Sequence, residues 1–276
     1  MQLKKYLAAP FAALLLTGAS LSNAAAPIDV TWNPSAVPGL STAGAFTFDN
    51  VILNSYAAID ITGGGTAFSE QGFIDLAGFT NNNVFTQIPT AGYPGSATPY
   101  SLYISFTATG TQTPGIPSTG TFSTLNYSLL AAPGATTFSA NASGIFAATG
   151  AVPFTLATGT LNGPGSVSLT GTPPDNLLPA ANVLATFVPN AAFAGFFVNP
   201  TFSQVLDLSA AFTNTGSVIT QIPLGGTNFR LSLNGGGGNA TFAVTNVPEP
   251  DTYGMLLAGL GLFAFIARRK SNRFTA

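Results

Sequence analysis

Asp49, Asp60, Glu70 and Asp75 stand close together along the chain, and they are the side chains best suited to chemistry. Two carboxylates can divide the labour of glycoside hydrolysis, one kept protonated as the acid and the other ionised as nucleophile or base. The same stretch, FDNVILNSYAAID followed by FSEQGFID, is rich in the carboxylate and amide oxygens that calcium prefers. The plain alternative is a set of scattered turn and surface acids. No paired-carboxylate motif and no D-x-D-x-D loop distinguishes the first two readings from the third.

Other chemistries are removed by the inventory. The chain has no His and no Cys, and its Lys residues occur only near the two ends. His-assisted serine, thiol and Ser-Lys nucleophiles are therefore excluded, as are ordinary zinc sites. Gly235–Gly238 lacks the Gly-Lys-Ser/Thr that a phosphate loop needs. Residues 25–247 carry seven acids and one base, Arg230. One Arg cannot neutralise a row of phosphates, so nucleic acid is not a partner. Arg230 either pairs with a carboxylate near its own strand or contacts a sugar or carboxylate ligand. These absences point to a protein that is not an enzyme and carries no cofactor or metal.

The elements that must position these residues are strands. In YSLYISFTATG, Leu102, Ile104, Phe106 and Ala108 fall on one face and Tyr103, Ser105, Thr107 and Thr109 on the other. TFSTLNYSLL aligns Leu125, Tyr127 and Leu129 in the same way, and GSVSLTG, NFRLSLN and NATFAVTNV are further strands. Gly, Pro, Asn and Ser clusters separate them. The expected fold is all-β, an antiparallel β-sandwich of two sheets, with a core large enough to stand without disulfides. Gly235–Gly238 reads as a hairpin loop and Thr201–Phe212 as the single helix. The uncharged stretch Ala180–Phe202 reads as two buried strands joined through Pro189-Asn190. A division into two β subdomains would fall at 171–174.

Both ends of the chain read as targeting segments. Lys4 and Lys5 precede an apolar run from Tyr6 to Ala19, and Ser22-Asn23-Ala24 sets small residues for cleavage between Ala24 and Ala25. Residues 1–24 are thus a signal peptide with its apolar helix, and 25–246 are the exported domain. At the other end, Val247, Pro248, Glu249 and Pro250 are followed by an uncharged run over 252–267 and then by Arg268, Arg269 and Lys270. A helix over that run is about 24 Å long, enough for one short transmembrane span if the bilayer thins. The cations form a stop that stays cytoplasmic.

The tail 247–276 resembles the PEP-CTERM sorting tail. That resemblance implies recognition of Pro248-Glu249-Pro250 by an exosortase, a membrane cysteine protease, after transient residence in the inner membrane. It also implies a Gram-negative bacterium, with the product at the cell surface or in the extracellular matrix. Six residues follow Lys270, more than in many members of the family.

The exported region is similar to flocculation-associated PEP-CTERM proteins, through GAFTFDNVILNSYAAIDI, FSEQGFIDLAGF, YSLYISFTATG and GTFSTLNYSLL. The resemblance implies a structural or adhesive role in floc or biofilm formation, with exopolysaccharide or a second copy of the chain as partner. Two alternatives stand beside it. One is a carbohydrate-binding module that stacks Trp32 or Tyr rings on sugars; the other is a carboxylate-pair glycoside hydrolase.

Overall fold

The computed structural model describes residues 27–86, 99–140, 146–172, 176–200, 206–213 and 218–244. The signal segment with its Ala24/Ala25 cleavage point, and the sorting tail with its apolar helix, lie outside these residues. The described strands are β1 (Val30–Trp32), β2 (Phe46–Phe48), β3 (Asn50–Thr62), β4 (Ala67–Asn81), β5 (Val84–Thr86), β6 (Tyr100–Gln112), β7 (Ser118–Pro133) and β8 (Thr137–Ala140). They continue as β9 (Phe146–Thr149), β10 (Phe154–Thr160), β11 (Ser166–Thr172), β12 (Asn176–Pro189), β13 (Phe197–Asn199), β14 (Leu206–Thr213), β15 (Val218–Gly225) and β16 (Asn228–Val244). Two 3-10 turns, Pro34–Ala36 and Ala191–Phe196, are the helical elements among the described residues.

The alternating strands pair antiparallel with their neighbours in sequence. β3 pairs with β4, β4 with β6, and β6 with β7. β10 and β11 then share one slot along β7, with Thr160 opposite Asn126 and Ser166 opposite Thr121. β12 lies on their far side and pairs with β14 beyond. β14 and β15 share the next slot against β16, and β16 returns to β3 from Phe229↔Ile61 to Ala240↔Val51. The all-β antiparallel expectation holds, and the two facing layers of the sandwich are opposite walls of a single sheet closed on itself in up-and-down order. Closure pairs both sides of most of the wall, while β15 pairs with β16 alone.

Side-chain alternation then decides what is inside. Leu102, Ile104, Phe106 and Ala108 of β6 and Leu125, Tyr127 and Leu129 of β7 are buried as their spacing predicts. One end of the barrel is stopped by the three-stranded sheet β13-β1-β2. Its centre is Trp32, with ring centroids 4.8 Å from Phe48, 5.3 Å from Phe196, and 5.9 Å from both Phe79 and Phe242. On the outer wall, the β8–β9 hairpin lays Phe138 on Tyr56 at 5.5 Å and Phe146 against Phe73 at 5.7 Å.

A closed sheet must bend sharply, and glycines permit the bends. At Gly159 a methyl group would collide with the carbonyl oxygen of Thr186 and with the ring of Tyr127. The Tyr127 hydroxyl uses that space to donate a 2.7 Å hydrogen bond to the Thr186 carbonyl, tying β7 to β12 across β10. Gly159→Ala is therefore expected to lower stability by about 2–4 kcal/mol, the sum of overpacking and a strained hydrogen bond. Urea unfolding measures it; a variant within about 0.5 kcal/mol of the parent would show that the corner has slack.

Three local expectations are revised. The part of Thr201–Phe212 that is described is strand rather than helix: Leu206–Thr213 is β14, drawn into strand form by open partners on both sides, β12 and β16. Gly235–Gly238 is not a hairpin loop but lies inside β16, where Gly236, Gly237 and Gly238 face Ser55, Asn54 and Leu53 across a bulge. In the Ala180–Phe202 stretch, the chain leaves β12 at Pro189, and Asn190 caps a 3-10 turn by accepting from the Ala192 amide at 3.0 Å. The short strand β13 follows. Thr172 pairs with Asn176, so the chain on either side of 171–174 belongs to one sheet.

Candidate functional site

The four carboxylates singled out by the sequence go to four different surroundings. Asp60 on β3 faces Arg230 on β16 across the barrel seam. The pair is bidentate: Arg230 Nη2 donates to Asp60 Oδ2 at 2.7 Å, and Nε donates to Oδ1. Of the two readings of Arg230, pairing with a carboxylate near its strand is the one the structure shows. Asp49 accepts a 2.7 Å hydrogen bond from the Asn82 amide and so anchors the tight β4–β5 turn, where Asn82 and Asn83 both have positive φ.

Glu70 and Asp75 are both on β4 but are an odd number of residues apart, so the pleat sends them to opposite faces. Glu70 borders a cavity of about 100 Å³ inside the barrel. Its side chain keeps some accessible surface because of that cavity, yet protein surrounds it, and loss of water pushes its carboxyl up to about 7. Asp75 points outward beside Tyr56, under the β8–β9 hairpin, and burial pushes it up to about 6. The arrangement does not assemble the acid pair that glycoside hydrolysis requires. Neither does it gather three or more potential metal ligands among the described residues.

The sugar-stacking reading is corrected for Trp32, while Tyr56 stays half-buried beside Phe138. Trp32 is 1% exposed, sealed in the aromatic stopper, and Tyr100, Tyr103 and Tyr127 are buried as well. A lone Trp gives no sign of its burial in sequence; the signal was the number of Phe residues available to surround it.

What sequence reasoning did not single out is a groove of about 500 Å³ on the outer wall, crossing β6, β7, β10 and β12. The outward residues Ser105 and Thr107 of β6, Asn126 and Ser128 of β7, Thr158 and Thr160 of β10, and Thr186 of β12 line it. Thr107, Asn126, Thr158 and Thr160 are exposed. Thr160 and Thr186 are already linked, with the Thr160 amide donating to Thr186 Oγ1 at 3.0 Å. No charged side chain lines the groove, and the rings of Phe106 and Tyr127 beneath it also face the interior cavity. The site can therefore hydrogen-bond a neutral polyhydroxyl chain but cannot grip one by charge. The Ser/Thr alternation of β6 was legible; its adjacency to β10 and β12 depends on β10 pairing with β7 and β12.

Comparison with curated proteins and with solved structures found no match. Residues 246–270 match the family model of the PEP-CTERM protein-sorting motif, a span that includes Val247–Pro250 and the cations Arg268, Arg269 and Lys270. The match supports export through the inner membrane of a Gram-negative bacterium to the cell surface, with processing by exosortase. On that match, the chain carries a PEP-CTERM protein-sorting motif at its C-terminal end.

Proposed function

We propose that the barrel is a non-enzymatic matrix protein, which holds cells in a floc or biofilm by binding neutral exopolysaccharide along its hydroxyl- and amide-lined outer groove. The groove is the observation that carries this reading: its open volume falls in the range of ligand sites, and hydroxyl and amide donors and acceptors cross four adjacent strand positions. The sparse charge of the exported region supports it, since copies bound along one polymer repel one another little. The interaction is shallow and lacks an aromatic platform among the described residues, so its strength comes from many copies on one polymer rather than from one tight site.

The test is retention of the full-length protein, held in lipid nanodiscs, on immobilised neutral polysaccharide from the producing cells. Replacing Thr107, Asn126 and Thr158 together with alanine removes three exposed partners while leaving the core intact. Retention is expected to fall about tenfold or more, at about 1 kcal/mol per hydrogen bond, with melting unchanged. Unchanged retention would place adhesion elsewhere and overturn the groove.

Salt provides an independent measurement. Screening shortens from about 10 Å at 0.1 M to about 3 Å at 1 M, which dissolves adhesion built on ion pairs. Arg230, the one base of the exported region, is already occupied by Asp60. Retention at about 0.5 M NaCl is therefore expected to equal that at low salt. A collapse would reveal an ionic contact outside the groove.

A further inference from the structure

The interior of the barrel carries a second site, independent of the outer groove. The cavity lies among Ile61, Phe68, Phe122, Val167 and Leu231, side chains from five different strand positions. It is partly enclosed, and its lining reaches Gln112 at the end of β6 and Phe212 near the end of β14, at the barrel end opposite the Trp32 stopper. Eight-position barrels have interiors at the threshold between being filled by side chains and holding one small ligand. In this one the walls leave a gap of about 100 Å³.

A single charged side chain borders that gap: Glu70, with Ile59 opposite it on β3 and Ala108 opposite it on β6. Tyr127 is the other titratable side chain in the lining, and its hydroxyl is committed to the Thr186 carbonyl. The base nearest in the fold, Arg230, is committed to Asp60 at the barrel seam and does not line the cavity. A carboxyl group placed in an apolar chamber without a cation is a costly arrangement for a core that merely needs filling.

We infer that the barrel interior is a binding site for a small apolar primary amine, whose ammonium group pairs with the Glu70 carboxylate while its hydrocarbon part fills the cavity. The charge of the lining selects the ligand class. An ammonium finds a partner at Glu70, an alcohol finds only a neutral or weakened hydrogen bond, and a carboxylate ligand meets a like charge with no cation to offset it. Size selects within the class. A cavity of about 150 Å³ holds benzene, so this one suits a chain of about five heavy atoms.

The probe is n-butylamine, with n-butanol and butyrate as size-matched controls. Each is titrated by calorimetry into the full-length protein in lipid nanodiscs, with empty nanodiscs subtracted. The amine is expected to bind at least about tenfold more tightly than either control, the advantage of a hydrogen bond to a charged group. Glu70→Gln keeps the shape of the side chain and is expected to abolish that preference. A second measurement guards against loss of fold in the variant. Butylamine should move the amide resonances of Val167 and Leu231, deep in the chamber, in the parent protein. Equal binding of amine and butyrate, no saturable binding of the amine, or resonance shifts confined to the outer wall would each overturn the inference.

Discussion

Replacing Pro248-Glu249-Pro250 with three alanines is expected to leave essentially all of the protein full-length in the inner membrane, where the parent is processed and released. The tripeptide and the tail that follows lie within the matched sorting motif, residues 246–270. The uncharged run and the Arg268-Arg269-Lys270 stop survive the substitution. Moving three cations through a bilayer is strongly unfavourable, so the unprocessed tail keeps its hold on the membrane. Fractionation followed by intact-mass measurement distinguishes the outcomes: a membrane-bound full-length chain, or a released product shortened at its C-terminus. Release of the variant at the parent's rate would mean that the protease reads something other than the tripeptide.

The second large effect concerns pH, and its sign is the reverse of ordinary acid denaturation. Glu70 and Asp75 have carboxyls raised by burial to about 7 and about 6, from ordinary values of 4.5 and 3.8. A raised carboxyl is one that the folded state prefers protonated. Its contribution is complete below the unfolded value and is lost as pH climbs through the folded one. For Glu70 the window runs from 4.5 to about 7, and for Asp75 from 3.8 to about 6. Each loss is worth roughly 3 kcal/mol. Melting of the full-length protein in detergent is expected to occur at a lower temperature at pH 8 than at pH 4.5. Glu70→Gln should recover about half of that difference at pH 8 and change little at pH 4.5. A melting temperature that rises with pH would show that other carboxylates dominate.

The strands of this fold were legible because their information is local. Leu102 to Ala108 alternate strictly, and no other backbone form buries that set on one face. Closure was not legible, since the pairing of β16 with β3 joins segments separated by most of the exported region. The lateral placement of outward residues was not legible either, since it rests on strand order. Thr158 and Thr107 come to line one groove only because β10 lies along β7. The tetraglycine misled for a related reason. Glycine's freedom favours a loop in isolation, but here Gly238 sits between Leu53 on one side and Phe212 on the other. A methyl group at Gly238 would come within 2.7 Å of the Phe212 ring. Glu70 was grouped with three other acids, and what sets it apart is something the sequence could not supply. A carboxylate in a strand looks solvent-facing until the pleat's direction is known, and the direction follows from Phe68 and Ile74 sharing its side.

The seam between β3 and β16 also orders events during secretion. The wall's first strand leaves the membrane early, but its partner is the last described strand, ending at Val244, and the matched sorting motif begins at residue 246. At no more than about 3.6 Å per residue, almost no slack separates the final wall strand from the segment the protease reads. The barrel therefore cannot seal until translocation of the exported region is nearly complete. Without its last strand, the sheet has two unpaired borders, on β3 and on β14. Scission after docking would release a sealed barrel, whereas scission before it would shed a sheet with a sticky border among identical neighbours. The seam therefore sets the last pairing of the barrel within a few residues of the sorting motif.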